Sequence, residues 1–200
     1  MSAELGFSLD SDPINQFQSW FEQARTAKVP LPEAMSLATS GTDGKPSVRM
    51  VLLKDVDANG FVFFTNYESA KSQQLLQNRN AALLFHWAEL ERQVRIDGQA
   101  YRITREESEE YFRTRPRESQ LGAWASRQSQ EIESREALEN RFALFTAQYE
   151  GQDVPCPPHW GGFRLEPEVM EFWQGRPGRM HDRIQYYKRQ GVWAQRRLCP

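Results

Sequence analysis

The chain has 200 residues, of which 39% are hydrophobic and 26% are charged, and its formal net charge is -2. This balance suits one domain with a core of its own, and it excludes a strongly basic protein that attracts nucleic acid through its net charge. Cys156 and Cys199 have neither metal-ligand nor disulfide spacing, so we expect a cytoplasmic protein without a bound metal. We expect neither a signal peptide nor a membrane span, because runs such as "MVLL" and "FVFF" are too short to cross a bilayer.

The first half of the chain predicts one helix followed by a series of strands. Asp12 is a good N-cap and Pro13 suits the first helical position, while Pro30 ends the helix. Alternating apolar residues and turn signals then predict strands over 34–40, 47–55, 61–66, 81–88 and 91–103. A short helix over 69–78 should turn Leu75 and Leu76 inward, and Gly98 should mark a bulge or a bend.

The second half predicts two helices and four closing strands. Thr104 and Glu107 form a capping box that opens a helix to about Arg115, where Pro116 breaks it. A second long helix is expected directly after Ser129, with Glu131 and Glu133 in its first turn and Gly151 beyond its end. The closing strands are expected over 161–166, 169–175, 180–189 and 192–198. Antiparallel strands with inserted helices favour an α+β barrel over a parallel dinucleotide-binding sheet.

The strand "RMVLLK" places one cation at each end of an apolar core strand. Arg49 and Lys54 either reach solvent at the strand ends or, on opposite faces by strict alternation, meet two different phosphates. The basic residues of the chain divide into 20 Arg and 5 Lys. This excess of arginine indicates either codon bias or sites for anionic small molecules, since the guanidinium group matches phosphate and carboxylate.

A second group of hydrogen-bond donors lies near the end of the first predicted helix of the second half. Tyr111 and Arg115 are four residues apart and share a helix face, and Ser119 follows, so the three could surround a phosphate. They could equally be ordinary surface residues. Gln128 and Ser129 start the next predicted helix, where free backbone N–H groups either bind an anion or are capped by Ser129.

The stretch "RPGRMHDRIQYY" spaces Arg179, His181 and Arg183 two residues apart. In a strand all three side chains would project from one face, either as a solvated edge or as a ligand site.

At these residues the sequence resembles the pyridoxine/pyridoxamine 5′-phosphate oxidase family. The similarity covers residues 12–200, through "RMVLLK", "FVFFTN", "LERQVRIDG", "YFRTRPRESQLGAW", "RQS", "HWGGFR", "EFWQGRPGRMHDR" and "RRLCP". The resemblance implies an FMN-binding split β-barrel, an antiparallel Greek-key barrel with peripheral helices, that dimerises with FMN at the subunit interface. We therefore expect a single domain over 1–200, with 1–11 flexible and 155–200 serving dimerisation and the active site.

The resemblance also implies the roles of individual residues. Arg179 and His181 would be catalytic, lying over the pyridine ring and the 4′-carbon of the substrate. The substrate phosphate would be held by Lys54, Tyr111, Arg115 and Ser119. FMN would be bound by Arg49, Met50, Val51, Leu52, Leu53, Lys54, Phe64, Thr65, Lys71, Gln93, Gln128, Ser129, Trp173 and Arg183. The reaction would oxidise pyridoxamine or pyridoxine 5′-phosphate to pyridoxal 5′-phosphate, by hydride transfer to flavin N5, with O2 reduced to H2O2.

The chain departs from the family pattern in three places. Phe64 stands where the family often has Tyr, and Ala70 stands where it typically has Arg, so we expect weaker FMN binding. The basic segment before the first helix of longer members is not found, which leads us to expect lower substrate affinity or looser specificity. Two alternatives remain: a related flavin oxidase of the same barrel acting on another substrate such as a phenazine precursor, and a non-catalytic flavin- or haem-binding barrel protein. The phosphate clamp disfavours the former alternative, and the intact pair Arg179 and His181 disfavours the latter.

Overall fold

The strands form one curled antiparallel sheet in this computed structural model, which describes residues 9–200. The sheet order is β2-β1-β5-β6-β7-β4-β3, and β8 and β9 continue from β7. The strands are β1 Ala34–Ser40, β2 Pro46–Leu52, β3 Asp55–Asp57, β4 Gly60–Asn66, β5 Asn80–Trp87, β6 Arg92–Arg102, β7 Trp160–Gln174, β8 Asp182–Arg189 and β9 Val192–Arg197. The helices are α1 Pro13–Thr26, α2 Ala70–Gln77, α3 Arg105–Thr114, α4 Arg117–Ala125 and α5 Arg135–Gln148. The α+β class and the antiparallel pairing are as the sequence predicts.

The long strand β7 explains why the barrel is split. One edge of β7 pairs with β6 along nearly its whole length. The other edge is divided, since residues 160–165 pair with β4 and residues 169–174 pair with β8. The sheet therefore opens into two branches at the middle of β7.

The predicted bulge lies where β6 faces the middle of β7. Asp97 pairs with Val169 but Gly98 pairs with Pro167, so Glu168 is the extra residue. A Cβ atom at Gly98 would meet the Glu166 carbonyl oxygen at 2.1 Å. Only glycine allows this close backbone approach.

The core lies inside the curled sheet, where α1 covers it. The Asp12 side chain accepts a hydrogen bond from the Ile14 N–H, which caps α1 as predicted. The fully buried Phe17 ring packs against Phe61 of β4 at 4.8 Å and Phe85 of β5 at 4.9 Å between centroids. Such contacts stabilise the sheet mainly through the apolar area that they remove from water.

A second apolar cluster joins α3, α4 and α5 to the end of β7. Phe112, Leu121, Val154 and Trp160 are its buried members. The capping box of α3 is confirmed, since Thr104 and Glu107 exchange hydrogen bonds. This cluster fixes α3 and α4 beside the start of β7.

Several predicted element boundaries are wrong. The predicted strand 47–55 breaks after Leu52 and resumes as the short strand β3, while the two predicted strands 161–166 and 169–175 are one strand, β7. Leu76 is 50% exposed although Leu75 is buried as predicted, because α2 is short and presents only one face to the core.

The region after Pro116 also differs from the prediction. Proline ends α3 but suits a helix start, and α4 begins at the next residue. The long helix begins at Arg135 and not after Ser129, because the Ser134 side chain caps it by accepting from the Ala137 N–H.

The expected flexibility of 1–11 concerns mainly residues 1–8, which lie outside the described residues. Beyond them, the Asp10 carbonyl accepts a hydrogen bond from the Tyr186 hydroxyl. None of the helices in the described part of the chain has the length and apolar character needed to cross a bilayer.

Candidate active site

A cavity of about 730 Å³ opens between the sheet and the helices. Its lining comes from β2, β4 and helices α2, α3 and α4, together with the segments that follow them. Thirteen predicted site residues line it: Arg49, Met50, Val51, Leu52, Lys54, Phe64, Thr65, Lys71, Tyr111, Arg115, Ser119, Gln128 and Ser129. Four of these side chains are cationic, and no carboxylate lines the cavity among the described residues. The lining therefore has an excess of positive charge that favours anionic ligands.

Lys71 and Arg49 form the first cationic end of this cavity. The Lys71 ammonium group donates to Thr65 Oγ1 at 3.1 Å, Ser69 Oγ at 3.3 Å and Gln128 Oε1 at 2.8 Å. All three acceptors are neutral, and burial together with the nearby charge of Arg49 lowers the pKa of Lys71 to about 8. A buried cation without a counter-charge is unfavourable, so this end suits a doubly negative group.

Arg49 is held in place by residues that sequence reasoning missed. Its guanidinium donates to the Leu37 carbonyl at 3.2 Å, to the Thr39 hydroxyl, and to Gln74 Oε1 at 3.4 Å. Thr39 in turn donates to Gln74 at 2.6 Å. These acceptors are also neutral, and burial lowers the pKa of Arg49. A threonine on the neighbouring strand and a glutamine on α2 are common residues, so the sequence alone does not indicate that they bind Arg49.

Lys54 and Arg49 line the same cavity, Arg49 from within β2 and Lys54 from beyond its end at Leu52. The Leu53 N–H still bonds to the Glu33 carbonyl directly before β1, whereas the Lys54 N–H bonds to the Val62 carbonyl of β4. Of the predicted cofactor contacts on this strand, Leu53 alone does not line the cavity, since it is buried in the main core.

Arg115 and Tyr111 meet at the second cationic end. The rings of Tyr111, Phe64 and Trp160 are nearly parallel, with centroids 4.0 Å apart for Phe64 and Tyr111 and 5.2 Å apart for Phe64 and Trp160. The Arg115 guanidinium lies 4.6 Å from the Trp160 ring centroid. Its NH1 atom is buried and has no hydrogen-bond partner within residues 9–200, and burial lowers the pKa of Arg115. The guanidinium is thus ready to donate to an incoming acceptor.

Trp160 is a site residue that sequence reasoning missed. Its motif "HWGGFR" carries the family resemblance but indicates no role for the tryptophan itself. The structure places it 6% exposed at the cavity wall, where it supports both Arg115 and Phe64.

Gln128 and Ser129 line the cavity without being at a helix N-terminus. Ser129 has a left-handed backbone with φ 72°, five residues before the Ser134 cap of α5. Its hydroxyl accepts a hydrogen bond from the Ala70 N–H at 3.2 Å, at the start of α2. The prediction of a helix-terminal site at these residues is therefore wrong, and their position comes from this contact across the chain.

The remaining predicted residues form a separate row on the C-terminal branch of the sheet. Gln93 pairs with Trp173, and Trp173 pairs with Arg183, across β6, β7 and β8. Arg183 donates to Glu171 at 2.8 Å, and this hydrogen bond raises the pKa of Arg183. The His181 ring packs on Trp173 with centroids 4.6 Å apart. None of these residues lines the 730 Å³ cavity.

The expectation that Arg179, His181 and Arg183 share one strand face is wrong. β8 begins at Asp182, and Arg179 ends a 3₁₀ turn that starts at Pro177. Gly178 and Arg179 have φ angles of 67° and 61°, far from the φ of a regular strand. Pro177 and Gly178 favour this turn and override the alternation.

Two segments of the chain, which together cover most of it, match known protein families. Residues 21–149 match the family described as pyridoxamine 5′-phosphate oxidase, and residues 160–200 match the pyridoxine 5′-phosphate oxidase C-terminal dimerisation region. The chain belongs to the pyridoxamine 5′-phosphate oxidase family. A family relative named pyridoxine/pyridoxamine 5′-phosphate oxidase from Gloeothece citriformis is 58% identical over 94% of this chain and 89% of its own length. The relative of the same name from Cupriavidus metallidurans is 56% identical with the same coverage.

Solved structures support the fold of this oxidase family. PhzG from Burkholderia lata, crystallised with tetrahydrophenazine-1-carboxylic acid, has a TM-score of 0.93 and is 33% identical, with full coverage of both chains. A pyridoxamine 5′-phosphate oxidase-related, FMN-binding protein from Nostoc punctiforme has a TM-score of 0.74 at 17% identity, over 97% of this chain and all of its own. The second likeness concerns the fold alone.

Proposed function

We propose that this protein oxidises pyridoxamine 5′-phosphate and pyridoxine 5′-phosphate to pyridoxal 5′-phosphate with FMN as cofactor. The observation that carries the proposal is a cavity with four cationic side chains and, among the described residues, no carboxylate in its lining. Arg49 lies near enough to Lys71 to lower its pKa, and Lys54 and Arg115 are the other two cations of the lining. We assign the first two to a phosphate on the cofactor and the other two to a phosphate on the substrate.

The end formed by Lys71 and Arg49 suits the FMN phosphate. Thr65 and Gln128 already contact the Lys71 ammonium group and add polar atoms beside it. Ala70 lies at the same end and brings the N-terminus of α2 to the lining. The positive end of the helix dipole and the two cations together would stabilise a dianion there.

The end formed by Arg115, Lys54, Tyr111 and Ser119 suits the substrate phosphate. The unpartnered NH1 atom of Arg115 is the strongest indication, because a phosphate oxygen would satisfy it. Trp160 keeps the guanidinium plane in place through its ring contact at 4.6 Å.

A homodimer would complete the site. The row Gln93, Trp173 and Arg183, with His181 beside it, is separate from the cavity within one chain. On the edge strand β2, Val48 and Met50 are 69% and 62% exposed, as expected for a surface that a partner subunit covers. We propose that each cavity receives this row from the partner subunit, with residues 155–200 as the dimerisation part of a single domain in a cytoplasmic enzyme.

In this arrangement the protein binds and orients while the cofactor supplies the redox chemistry. FMN would supply the two-electron redox chemistry: the substrate 4′-carbon would lose a hydride to N5 and a proton to solvent, O2 would take up the electrons and protons as H2O2, and water would convert the imine from pyridoxamine 5′-phosphate to aldehyde and ammonia. Arg179 and His181 would hold the pyridine ring over the flavin, and the phosphate clamp would fix its distance. Arg183 and Trp173 would contact the flavin from the partner subunit.

A second candidate is oxidation of a phenazine precursor, which the likeness to PhzG favours. The sequence relatives named pyridoxine/pyridoxamine 5′-phosphate oxidase are 54–58% identical, compared with 33% for PhzG. A carboxylate substrate could use Arg115, but it would not need Lys54, Tyr111 and Ser119 as well.

The test is turnover by purified, FMN-loaded protein. With pyridoxamine 5′-phosphate, aldehyde absorbance and H2O2 should rise together, and pyridoxamine without its phosphate should react poorly. The purified protein should be yellow, with about one FMN per chain. A colourless protein that gains no flavin bands on addition of FMN, or a loaded protein that forms no aldehyde, would refute the proposal.

A further inference from the structure

The loop between β7 and β8 is anchored by one aspartate that binds two arginines. Arg176 Nε lies 2.8 Å from Asp182 Oδ2, and Arg197 NH1 lies 2.6 Å from Asp182 Oδ1. Each carboxylate oxygen therefore has its own cation, and the hydrogen bonds from Arg197 and Arg176 lower the pKa of Asp182. The Asp182 side chain is 17% exposed, so solvent screens these contacts only in part.

The Arg176 side chain is held by this anchor, next to a backbone hydrogen bond from the Gly175 N–H to the Glu91 carbonyl at 2.7 Å. The Arg176 N–H donates to His181 Nδ1 at 3.1 Å, across the turn. A backbone N–H can only donate, so His181 Nδ1 must accept and cannot carry a proton in this geometry. In a neutral imidazole the other nitrogen then carries it, which makes His181 the Nε2–H tautomer.

The loop needs an external restraint of this kind. Gly178 and Arg179 both have left-handed φ angles, which is unfavourable for the arginine. Trp173 supports the His181 ring from one side at 4.6 Å between centroids. Ring packing limits the tilt of His181 but cannot choose its tautomer, so that choice rests on the Arg176 N–H.

We propose that Asp182 is a positioning residue that acts through Arg176, with Arg197 as its second partner, to fix His181 as the Nε2–H tautomer. Neutral His181 then offers the substrate a hydrogen-bond donor, so the substrate atom that it meets is an acceptor. In this state His181 cannot take a proton from the substrate through Nε2. The role toward substrate rests on the proposed function, whereas the tautomer does not.

The first experiment measures the tautomer directly. Long-range ¹H–¹⁵N correlation spectra of protein labelled with [¹⁵N]histidine, recorded at a pH where the ring is neutral, separate the two nitrogens. The chain has three histidines, so a His181→Asn variant assigns the signals. Wild-type His181 should show a protonated Nε2 and an unprotonated Nδ1. A protonated Nδ1, or shifts averaged between the two forms, would overturn the proposal.

Variants test whether Asp182 sets this state. Asp182→Ala should shift the His181 signals toward the averaged positions, and so should Arg197→Ala, whereas Arg197→Lys keeps a cation and should restore the wild-type spectrum. The matched control is Glu139→Ala, which removes a 2.8 Å ion pair with Arg135 on α5 and should change nothing. A wild-type spectrum in both alanine variants would refute the role of Asp182.

Kinetics test the consequence for substrate. Asp182→Ala should lower kcat/KM for pyridoxamine 5′-phosphate by up to about 100-fold, because the His181 donor is misplaced, while the FMN dissociation constant stays unchanged. Should Asp182→Ala fold poorly, Arg197→Ala removes one of the two ion pairs of Asp182 at a more exposed position. If even the wild type has no oxidase activity, the proposed function fails, and the spectra still decide the tautomer.

Discussion

Replacing Lys71 should abolish a proton uptake that accompanies FMN binding. Lys71 is 8% exposed, its hydrogen-bond partners are neutral, and its pKa is lowered to about 8. A phosphate dianion beside the ammonium group would raise this pKa, so the complex holds a proton that the free site has partly lost. From a pKa of about 8, the uptake per FMN should be about 0.1 proton at pH 7, 0.5 at pH 8 and 0.9 at pH 9.

The sign of the pH dependence follows from this uptake. FMN affinity should be greatest below pH 8 and should fall by about tenfold per unit above it, because the free lysine must first be protonated. The phosphate itself stays doubly charged in this range, since its second pKa is about 6. In the FMN-free protein the pKa of Lys71 is lower in the folded form than in the unfolded chain. Between the two pKa values the unfolded chain therefore binds more protons. Unfolding free energy should therefore rise with pH between about 8 and 10.5 from this group.

The assay is isothermal titration of FMN in pairs of buffers with different ionisation enthalpies, at pH 7, 8 and 9. Lys71→Met and Lys71→Arg should both lose the uptake, but Lys71→Arg keeps a cation and should bind FMN more tightly than Lys71→Met. Riboflavin, which has the same ring without the phosphate, is the chemical control and should show no uptake. Equal uptake at pH 9 by wild type and Lys71→Met would refute the assignment of Lys71 to the phosphate.

Substitutions at Ala70 and Arg179 test two separate features: the proposed FMN phosphate end of the cavity and the turn before β8. Ala70→Arg adds a cation where α2 reaches the cavity, and a charge-assisted bond of about 1.5–3 kcal/mol should tighten FMN binding at least tenfold. Ala70→Gln is its uncharged control, and a dissociation constant equal to that of the wild type would contradict the prediction. The free energy of unfolding, measured in urea, should be about 1 kcal/mol higher for Arg179→Gly than for Arg179→Ala. The φ of 61° at this residue is unfavourable for alanine but not for glycine. Both variants should lose turnover alike, and equal stability would show that the turn is not strained.

Local patterns in the sequence predicted much of the fold. The N-cap Asp12, the capping box of Thr104 and Glu107, and the bulge at Gly98 all lie where their residue types require them. These signals act over a few residues, so no knowledge of the rest of the chain is needed to interpret them. Boundaries failed where a local signal was ambiguous, as at Pro116, which ends one helix and starts another.

The sequence by itself determines the set of chemical groups: many arginines, two groups of residues suited to bind phosphate, and the motifs of an oxidase family. What only the tertiary structure decided is which of these groups meet. Lys54 joins Arg49 in one cavity from beyond the end of β2, and Ser129 reaches the start of α2 through a contact across 59 residues. The pairing of Arg176 with His181 arises from a left-handed turn in a stretch that alternation assigned to a strand. Each of these arrangements depends on where a strand stops or a loop turns, and that is settled by long-range packing and hydrogen bonding.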